Sequence, residues 1–206
     1  VSTFVKGTYS CIKKRGIHKA MRDVKESLKD IQGTQYCLKL DIRKFYPSID
    51  NDILKQVIRR KIKDVKLLNL LDSIIDSAEG VPIGNYLSQF FANLYLTYLD
   101  HYIKEVQKVK HYFRYADDIV ILHSDKKYLR YLYEDIKDYL ENKLNLHFKD
   151  NWQIFKVDSR GIDFVGYRLF HTHILLRKRI KQNFCRKITK LNKKDIDKDD
   201  YKQKIC

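Results

Sequence analysis

The chain has 206 residues, of which 44% are hydrophobic and 33% charged. This composition is typical of a globular domain with a real core, and it excludes an intrinsically disordered chain. Lys and Arg number 42 against 26 Asp and Glu, which gives a net charge of +16. Such an excess attracts polyanions and favours a nucleic-acid partner over a merely soluble basic protein. No stretch is long and apolar enough for a membrane span, and no signal peptide is visible, so we expect a cytoplasmic protein without membrane contact.

Cysteine usage gives no sign of a disulfide framework or a zinc site, since no two cysteines form a CxxC pair. The four cysteines are Cys11, Cys37, Cys185 and Cys206. Cys37 lies in an apolar stretch and is predicted to be a small core residue. This pattern agrees with a reducing compartment.

The first half of the chain predicts a strand among helices. The predicted elements are a helix at 17–28, a strand at 36–42, and helices at 51–62 and 66–78. Apolar residues recur at helical spacing in the helices and alternate in the strand. Pro47 interrupts regular structure after the strand, and Asp50 is the expected cap of the helix that follows.

The second half predicts a hairpin with helices on either side. The predicted elements are a loop at 79–84, a long helix at 85–106, a hairpin within 111–123, a helix at 126–144, strand-like runs at 152–157, 162–170 and 173–176, and a basic helix at 177–191. This order indicates an α+β domain in which helices cover one face of a mostly antiparallel sheet.

Three aspartates are the candidate reactive groups. Asp117 and Asp118 lie between two strand-like runs, and Asp41 lies at the end of the strand at 36–42. Asp-Asp is also an ordinary turn sequence, and Asp41 could be a solvated side chain. If the strand lies beside the hairpin, however, the three carboxylates converge and require divalent cations. In a basic protein this arrangement favours two-metal phosphoryl transfer on nucleic acid, which polymerases and nucleases share.

Four segments resemble successive palm motifs of reverse transcriptases. In chain order they are LKLDIRKFYPSID, GVPIGNYLSQFFANLYLTYLD, FRYADDIVIL and GIDFVGYRL. Each is weak alone, but together they are specific, and the resemblance covers about residues 9–176. It implies a right-hand polymerase fold and RNA-directed DNA synthesis, in which a primer 3′-oxygen attacks a deoxynucleoside triphosphate and pyrophosphate leaves.

The resemblance assigns expected roles to individual residues. Asp41, Asp117 and Asp118 match the catalytic aspartates, and with the carbonyl of Ile42 they would bind two Mg²⁺, for which Mn²⁺ could substitute. The expected nucleotide-binding residues are Tyr46 as a steric gate against ribose, Gly84, Ser88 and, as a weaker candidate for protonating the leaving group, Lys149. The expected template and primer contacts are Gln89, Tyr115, Phe164, Gly166 and Tyr167, the last three in a hairpin that would grip the primer terminus. Arg114, like Lys14 and Arg15, is predicted to be surface charge, although Arg114 could also pair with a carboxylate or a phosphate.

The resemblance also implies a domain layout and partners. Residues 1–35 would be partial fingers, 36–176 the palm, with 51–80 a helical part of fingers or palm, and 177–206 the start of a thumb or a connection. On this resemblance we expect the first finger motifs to precede residue 1 and most of the thumb to follow the primer hairpin, so the chain alone need not be active. Expected partners are an RNA template, a DNA or RNA primer and a dNTP.

Two features favour the diversity-generating retroelement branch, bacterial or phage-encoded, with a small basic accessory variability protein as a further partner. Ile83 replaces the glutamine that most reverse transcriptases carry before the loop glycine, and the segment KDNWQIFKV resembles that branch. Group II intron maturases and retron enzymes stay open. So does a different class, a non-catalytic nucleic-acid-binding module with a polymerase fold; a nuclease is a weaker option.

Overall fold

A computed structural model describes residues 3–81 and 86–192. The helices are α1 (Ile17–Ser27), α2 (Asn51–Arg59), α3 (Val65–Ile75), α4 (Tyr86–Tyr95), α5 (Thr97–His101), α6 (Lys126–Leu144), α7 (Val157–Arg160) and α8 (Lys178–Asn192). The strands are β1 (Tyr36–Asp41), β2 (His111–Tyr115), β3 (Asp118–His123), β4 (Gln153–Lys156), β5 (Ile162–Phe164), β6 (Tyr167–Leu169) and β7 (Ile174–Leu176). The predicted α+β class is confirmed, and so is the capping of α2, because the Asp50 side chain accepts from the backbone amides of Asp52 and Ile53.

The main sheet has four antiparallel strands in the order β2–β3–β1–β4. Alternation along β1 divides its side chains between two faces. Leu38 and Leu40 point into a core cluster built with α2 to α6, whereas Cys37 belongs to a second cluster on the opposite face. Lys39 and Asp41 share the face of Cys37 by the same alternation.

The second face is covered by α1 and by a small sheet of β5, β6 and β7. Ala20 and Val24 of α1 are fully buried there together with Leu169 of the small sheet. Helices α2 to α6 therefore lie on one side of the main sheet, as predicted, and α1, α7 and the small sheet close the other side. Among the described helices, none combines the length and the apolar character that crossing a bilayer requires.

Two predicted elements are divided in the structure. The helix predicted at 85–106 consists of α4, α5 and a π-helical turn at Tyr102–Val106. Thr97 donates its hydroxyl to the carbonyl of Asn93 at 3.1 Å, a back-bond that bends helices at such positions. The run predicted as a strand at 162–170 is a hairpin, because Val165 and Gly166 both have positive φ and form a two-residue turn.

Candidate active site

Strand pairing brings the three aspartates together. Asp41 is the last residue of β1, and its Cα partner across the sheet is Asp118, the first residue of β3. Asp117 lies in the two-residue turn between β2 and β3, beside Ala116 at φ 54°. The carboxylates therefore share one edge of the sheet, although they come from parts of the sequence more than 70 residues apart.

Two lysines neutralise this edge. Lys149 Nζ lies 2.6 Å from Asp41 Oδ1, yet among the described residues that buried oxygen accepts no hydrogen bond of good geometry. Lys39 forms an ion pair with Asp118. Its Nζ also lies 5.3 Å from the ring centroid of Phe164. The interaction with Asp41 raises the pKa of Lys149, so this side chain is a cation at neutral pH.

Burial raises the pKa of both Asp117 and Asp118. It is the main cause that raises the pKa of Asp117, and the neighbouring Asp41 raises that pKa further. Burial also raises the pKa of Asp118, although Lys39 opposes the effect. A divalent cation would relieve both penalties, and a set of carboxylate oxygens suits a hard ion such as Mg²⁺. In the described parts of the chain, however, no three acidic, histidine or cysteine side chains are close enough to hold a metal as they are arranged.

Tyr46 faces this cluster from the loop after β1. It begins a short 3₁₀ turn and packs against Phe45, with ring centroids 5.4 Å apart. Burial raises the pKa of Tyr46, and the next largest contribution comes from Asp117, so the hydroxyl lies within electrostatic range of that carboxylate. The amide of Val81 donates to the carbonyl of Tyr46 at 3.0 Å and thereby joins the segment after α3 to this turn.

The remaining expected nucleotide and template residues occupy different positions. Gly84 lies outside the described residues. Ser88 is buried in α4, whereas Gln89 on the same helix is exposed and contacts the thiol of Cys11. Ile42 is buried and forms an antiparallel β-bridge with Phe148. The two backbone hydrogen bonds of that bridge involve the carbonyl of Asp41 and the amide of Arg43, and neither of them uses the carbonyl of Ile42.

The hairpin residues expected at the primer divide into core and surface. Phe164 is fully buried in the second cluster, so its ring supports the hairpin and does not present a contact surface. Gly166, at φ 90°, forms the turn, and a side chain there would come 2.8 Å from Ile180. Tyr167 and Tyr115 are half-buried at the border of the same cluster.

A cavity of about 350 Å³ lies between the main sheet and the small sheet of β5, β6 and β7, called the hairpin sheet below. It opens onto Asp41 and Asp118. Its basic lining residues are Lys39, Arg160, Arg168 and Arg177. The three arginines were not predicted from the sequence as site residues. Arg168 lies within the GIDFVGYRL segment, Arg160 lies directly before it, and Arg177 begins the predicted basic helix at 177–191, which are the signals that could have indicated them.

Arg114 corrects the sequence analysis. It was expected to be surface charge, but it is fully buried and forms an ion pair with Asp100, which is also fully buried. Both faces of β2 are buried, and alternation sets Arg114 on the face of Tyr112, where Asp100 supplies the opposite charge that a buried guanidinium requires. Arg114 therefore pairs with a carboxylate, which was one of the alternatives to surface charge.

An antiparallel sheet with carboxylates at one edge, helices behind it and a cavity with basic side chains in front has the α+β architecture expected of a polymerase palm. The family model for reverse transcriptase (RNA-dependent DNA polymerase) matches residues 2–169. The chain belongs to the reverse transcriptase family.

Relatives and solved structures agree with this assignment. The chain is 26% identical to protein YkfC of Escherichia coli K12, over 79% of the chain and 54% of that protein. It is 21% identical to the group II intron-encoded protein LtrA of Lactococcus lactis, over 74% of the chain and 37% of that protein. Apo telomerase from Candida tropicalis, truncated from its C-terminal domain, shares the fold with a TM-score of 0.65 at 15% identity, over 84% of this chain and 41% of that one. The chain thus spans about half, or less, of the length of these proteins.

The raised pKa of Asp117 predicts that Asp117→Asn stabilises the fold when no divalent ion is present. A carboxyl whose pKa is raised on folding favours the folded state below its ordinary pKa, and that contribution is lost as pH rises through the raised value. In EDTA at pH 7 the variant should therefore melt above the wild type, and the difference should vanish below about pH 4, where both states are protonated.

Thermal melting followed by circular dichroism measures this difference in melting temperature. Asp138→Asn, an exposed position on α6, is the matched control and should leave the melting temperature unchanged; a lower melting temperature for Asp117→Asn at pH 7 would contradict the argument.

Proposed function

We propose that this domain is the catalytic core of an RNA-directed DNA polymerase that extends a primer with deoxynucleotides on an RNA template. The observation that carries the proposal is the register that sets Asp41 opposite Asp118, with Asp117 beside them and a basic cavity in front. A nuclease could use the same carboxylates, but it gives no reason for an aromatic residue at Tyr46. Family membership supports the polymerase reading further.

Asp41, Asp117, Asp118 and the carbonyl of Ile42 would hold two Mg²⁺, or Mn²⁺ in their place. When bound, two such ions activate the attacking oxygen and stabilise the leaving one. The protein's own contribution is to keep the three carboxylates adjacent and to desolvate Asp117 and Asp118. A cation would offset the cost of ionising these two buried groups. The lysines that now neutralise Asp41 and Asp118 are partly exposed and can turn to phosphate groups when the ions arrive.

The residues around the carboxylates would bind and orient the nucleic acid and the triphosphate. The cations of the cavity suit the phosphates of a primer end that lies over the hairpin sheet, since guanidinium groups bind phosphate in two-point contacts. Lys149 would hold the triphosphate or, as its weaker assignment, protonate the leaving group. The hydrogen bond to Asp41 raises the pKa of Lys149, so this side chain is a poor acid while Asp41 is its partner.

The matching test is primer extension by the full-length protein on an RNA template with Mg²⁺ and deoxynucleotides. Asp117→Ala should reduce extension at least about 10²–10³-fold, because it removes a charged group that acts on the reacting atoms, while primer–template binding persists. Asp138→Ala on the exposed face of α6 is the control and should extend normally. Tight binding without extension by the wild-type protein would favour the non-catalytic module, and hydrolysis of the strand would favour the nuclease.

Substitutions at Tyr46 test how the enzyme selects deoxyribonucleotides over ribonucleotides. We expect Tyr46→Val to raise incorporation of ribonucleotides relative to deoxyribonucleotides by about 10–200-fold, the range that a pocket gains or loses through a small steric change. Tyr46→Phe keeps the ring and should keep the discrimination. Single-nucleotide kcat/KM values for a dNTP and the matching rNTP give the ratio, and an unchanged ratio in Tyr46→Val would place the gate elsewhere.

For the branch of the family, we propose a diversity-generating retroelement enzyme that works with an accessory variability protein in the bacterial cytoplasm. Support comes from Ile83, which lies outside the described residues, and from the KDNWQIFKV segment. A group II intron maturase is the alternative, and the name of the Lactococcus relative favours it.

The two branches differ in fidelity. A retroelement enzyme should misincorporate mainly opposite template adenines, and Ile83→Gln should reduce those errors, since the resemblance implies that this position supports the new base pair. Sequencing the products of wild type and variant on one template measures both. Uniform fidelity across the four template bases, unchanged by Ile83→Gln, would favour the maturase.

A further inference from the structure

The buried ion pair of Arg114 and Asp100 reaches the turn that carries Asp117. Arg114 Nε donates to Asp100 Oδ1 at 2.7 Å and Nη2 donates to Asp100 Oδ2 at 2.5 Å, so the pair is bidentate. The third nitrogen, Nη1, points the other way. It donates to the carbonyl of Ala116 at 2.9 Å and to Asn93 Oδ1 at 3.0 Å.

Ala116 is the residue directly before Asp117, and its backbone is left-handed at φ 54°. For a residue with a Cβ this conformation is strained and persists only where the surroundings hold it. The fully buried Arg114 guanidinium donates to the Ala116 carbonyl from inside the protein. The planar guanidinium can grip Asp100 and reach Ala116 at once, which a lysine ammonium cannot do.

Other parts of the chain hold Arg114 in place. Asp100 accepts both bonds of the bidentate pair, and Asn93, on α4, accepts from Nη1. These bonds fix the guanidinium at a position from which it holds the turn. Tyr112 Oη at 2.5 Å and Thr8 Oγ1 at 3.1 Å donate to Asp100 and complete its hydrogen bonding.

We propose that Arg114 is a positioning residue, which fixes the left-handed Ala116 turn and thereby sets the direction in which Asp117 presents its carboxylate to a divalent cation. The inference rests on the proposed function in that Asp117 must bind a cation. A purely structural ion pair would contribute to folding but would leave the cation affinity of folded molecules unchanged.

Mn²⁺ binding by the chain, followed by electron paramagnetic resonance of the free ion, tests this without any activity assay. Arg114→Lys keeps the charge that Asp100 needs but loses the Ala116 contact. We expect it to weaken Mn²⁺ binding by about 10–100-fold, the usual cost of removing a group that orients a metal ligand. Tyr112→Phe removes a hydroxyl from Asp100 and leaves the Arg114–Ala116 bond in place, so it should bind Mn²⁺ as the wild type does.

A second set of variants separates positioning from folding. In Arg114→Lys combined with Ala116→Gly, the glycine adopts positive φ without strain, so part of the lost Mn²⁺ affinity should return. If Arg114→Lys does not fold, Arg114→Met combined with Asp100→Leu replaces the buried pair by apolar side chains, an exchange that buried ion pairs often tolerate. That pair of substitutions should give a folded chain with the same 10–100-fold weaker binding.

The outcomes distinguish the two proposals. Wild-type affinity in folded Arg114→Lys, or in the folded apolar double variant, overturns the positioning role and leaves the proposed function standing. Failure of the wild-type chain to bind Mn²⁺ at all overturns the cation site and the positioning role with it. Weaker binding in the Arg114 variants together with normal binding in Tyr112→Phe supports the inference.

Discussion

The register between β1 and β3 is the constraint on which the candidate site depends. It pairs Tyr36 with His123 at one end and Asp41 with Asp118 at the other. A slip of one residue would turn Leu38 and Leu40 out of their core and send Asp41 into it. The apolar side chains of the two central strands, buried on both faces of the sheet, therefore fix the position of the carboxylates.

The molecule contains two kinds of ion pair, and they have different consequences. Lys39–Asp118 and Lys149–Asp41 keep side-chain exposures of 23%/27% and 42%/35%, so water screens them and each contributes little to stability. Such pairs neutralise a crowded acidic edge and can be exchanged for other charges. Arg114–Asp100 has no exposure on either side chain, and breaking it would leave a buried charge without a partner. The exchangeable pairs occupy the face towards the cavity, and the permanent pair lies behind the turn.

Elements with strong local signals were predictable from the sequence. The observed α6 has the predicted bounds, because its apolar residues recur at helical spacing and Asp125 caps it. The strands that carry the aspartates also followed from alternation and turn residues. Their adjacency was a conditional prediction, since it depends on strand pairing over more than 70 residues of separation.

The features that sequence reasoning missed depend on distant contacts. Nothing local distinguishes Arg114 from an exposed arginine, because its partner Asp100 belongs to a different element. The break between α4 and α5 depends on one side-chain bond from Thr97, in a segment whose apolar pattern continues without interruption. The cavity arginines come together only because the hairpin sheet folds back over β1 and β4.

The N-terminal segment belongs physically to the sheet that carries the candidate site, although the predicted palm begins at residue 36. Thr8 forms a parallel bridge with Arg114, and the amide of Arg114 donates to the carbonyl of Gly7 at 2.7 Å. A side chain at Gly7 would lie 2.2 Å from the carbonyl of Tyr112, so only glycine permits this close approach. The segment thereby covers the open edge of β2, which would otherwise expose unpaired backbone groups. Because the same few residues also anchor Asp100 through Thr8, closing the sheet edge and bracing the Asp117 turn are one structural arrangement.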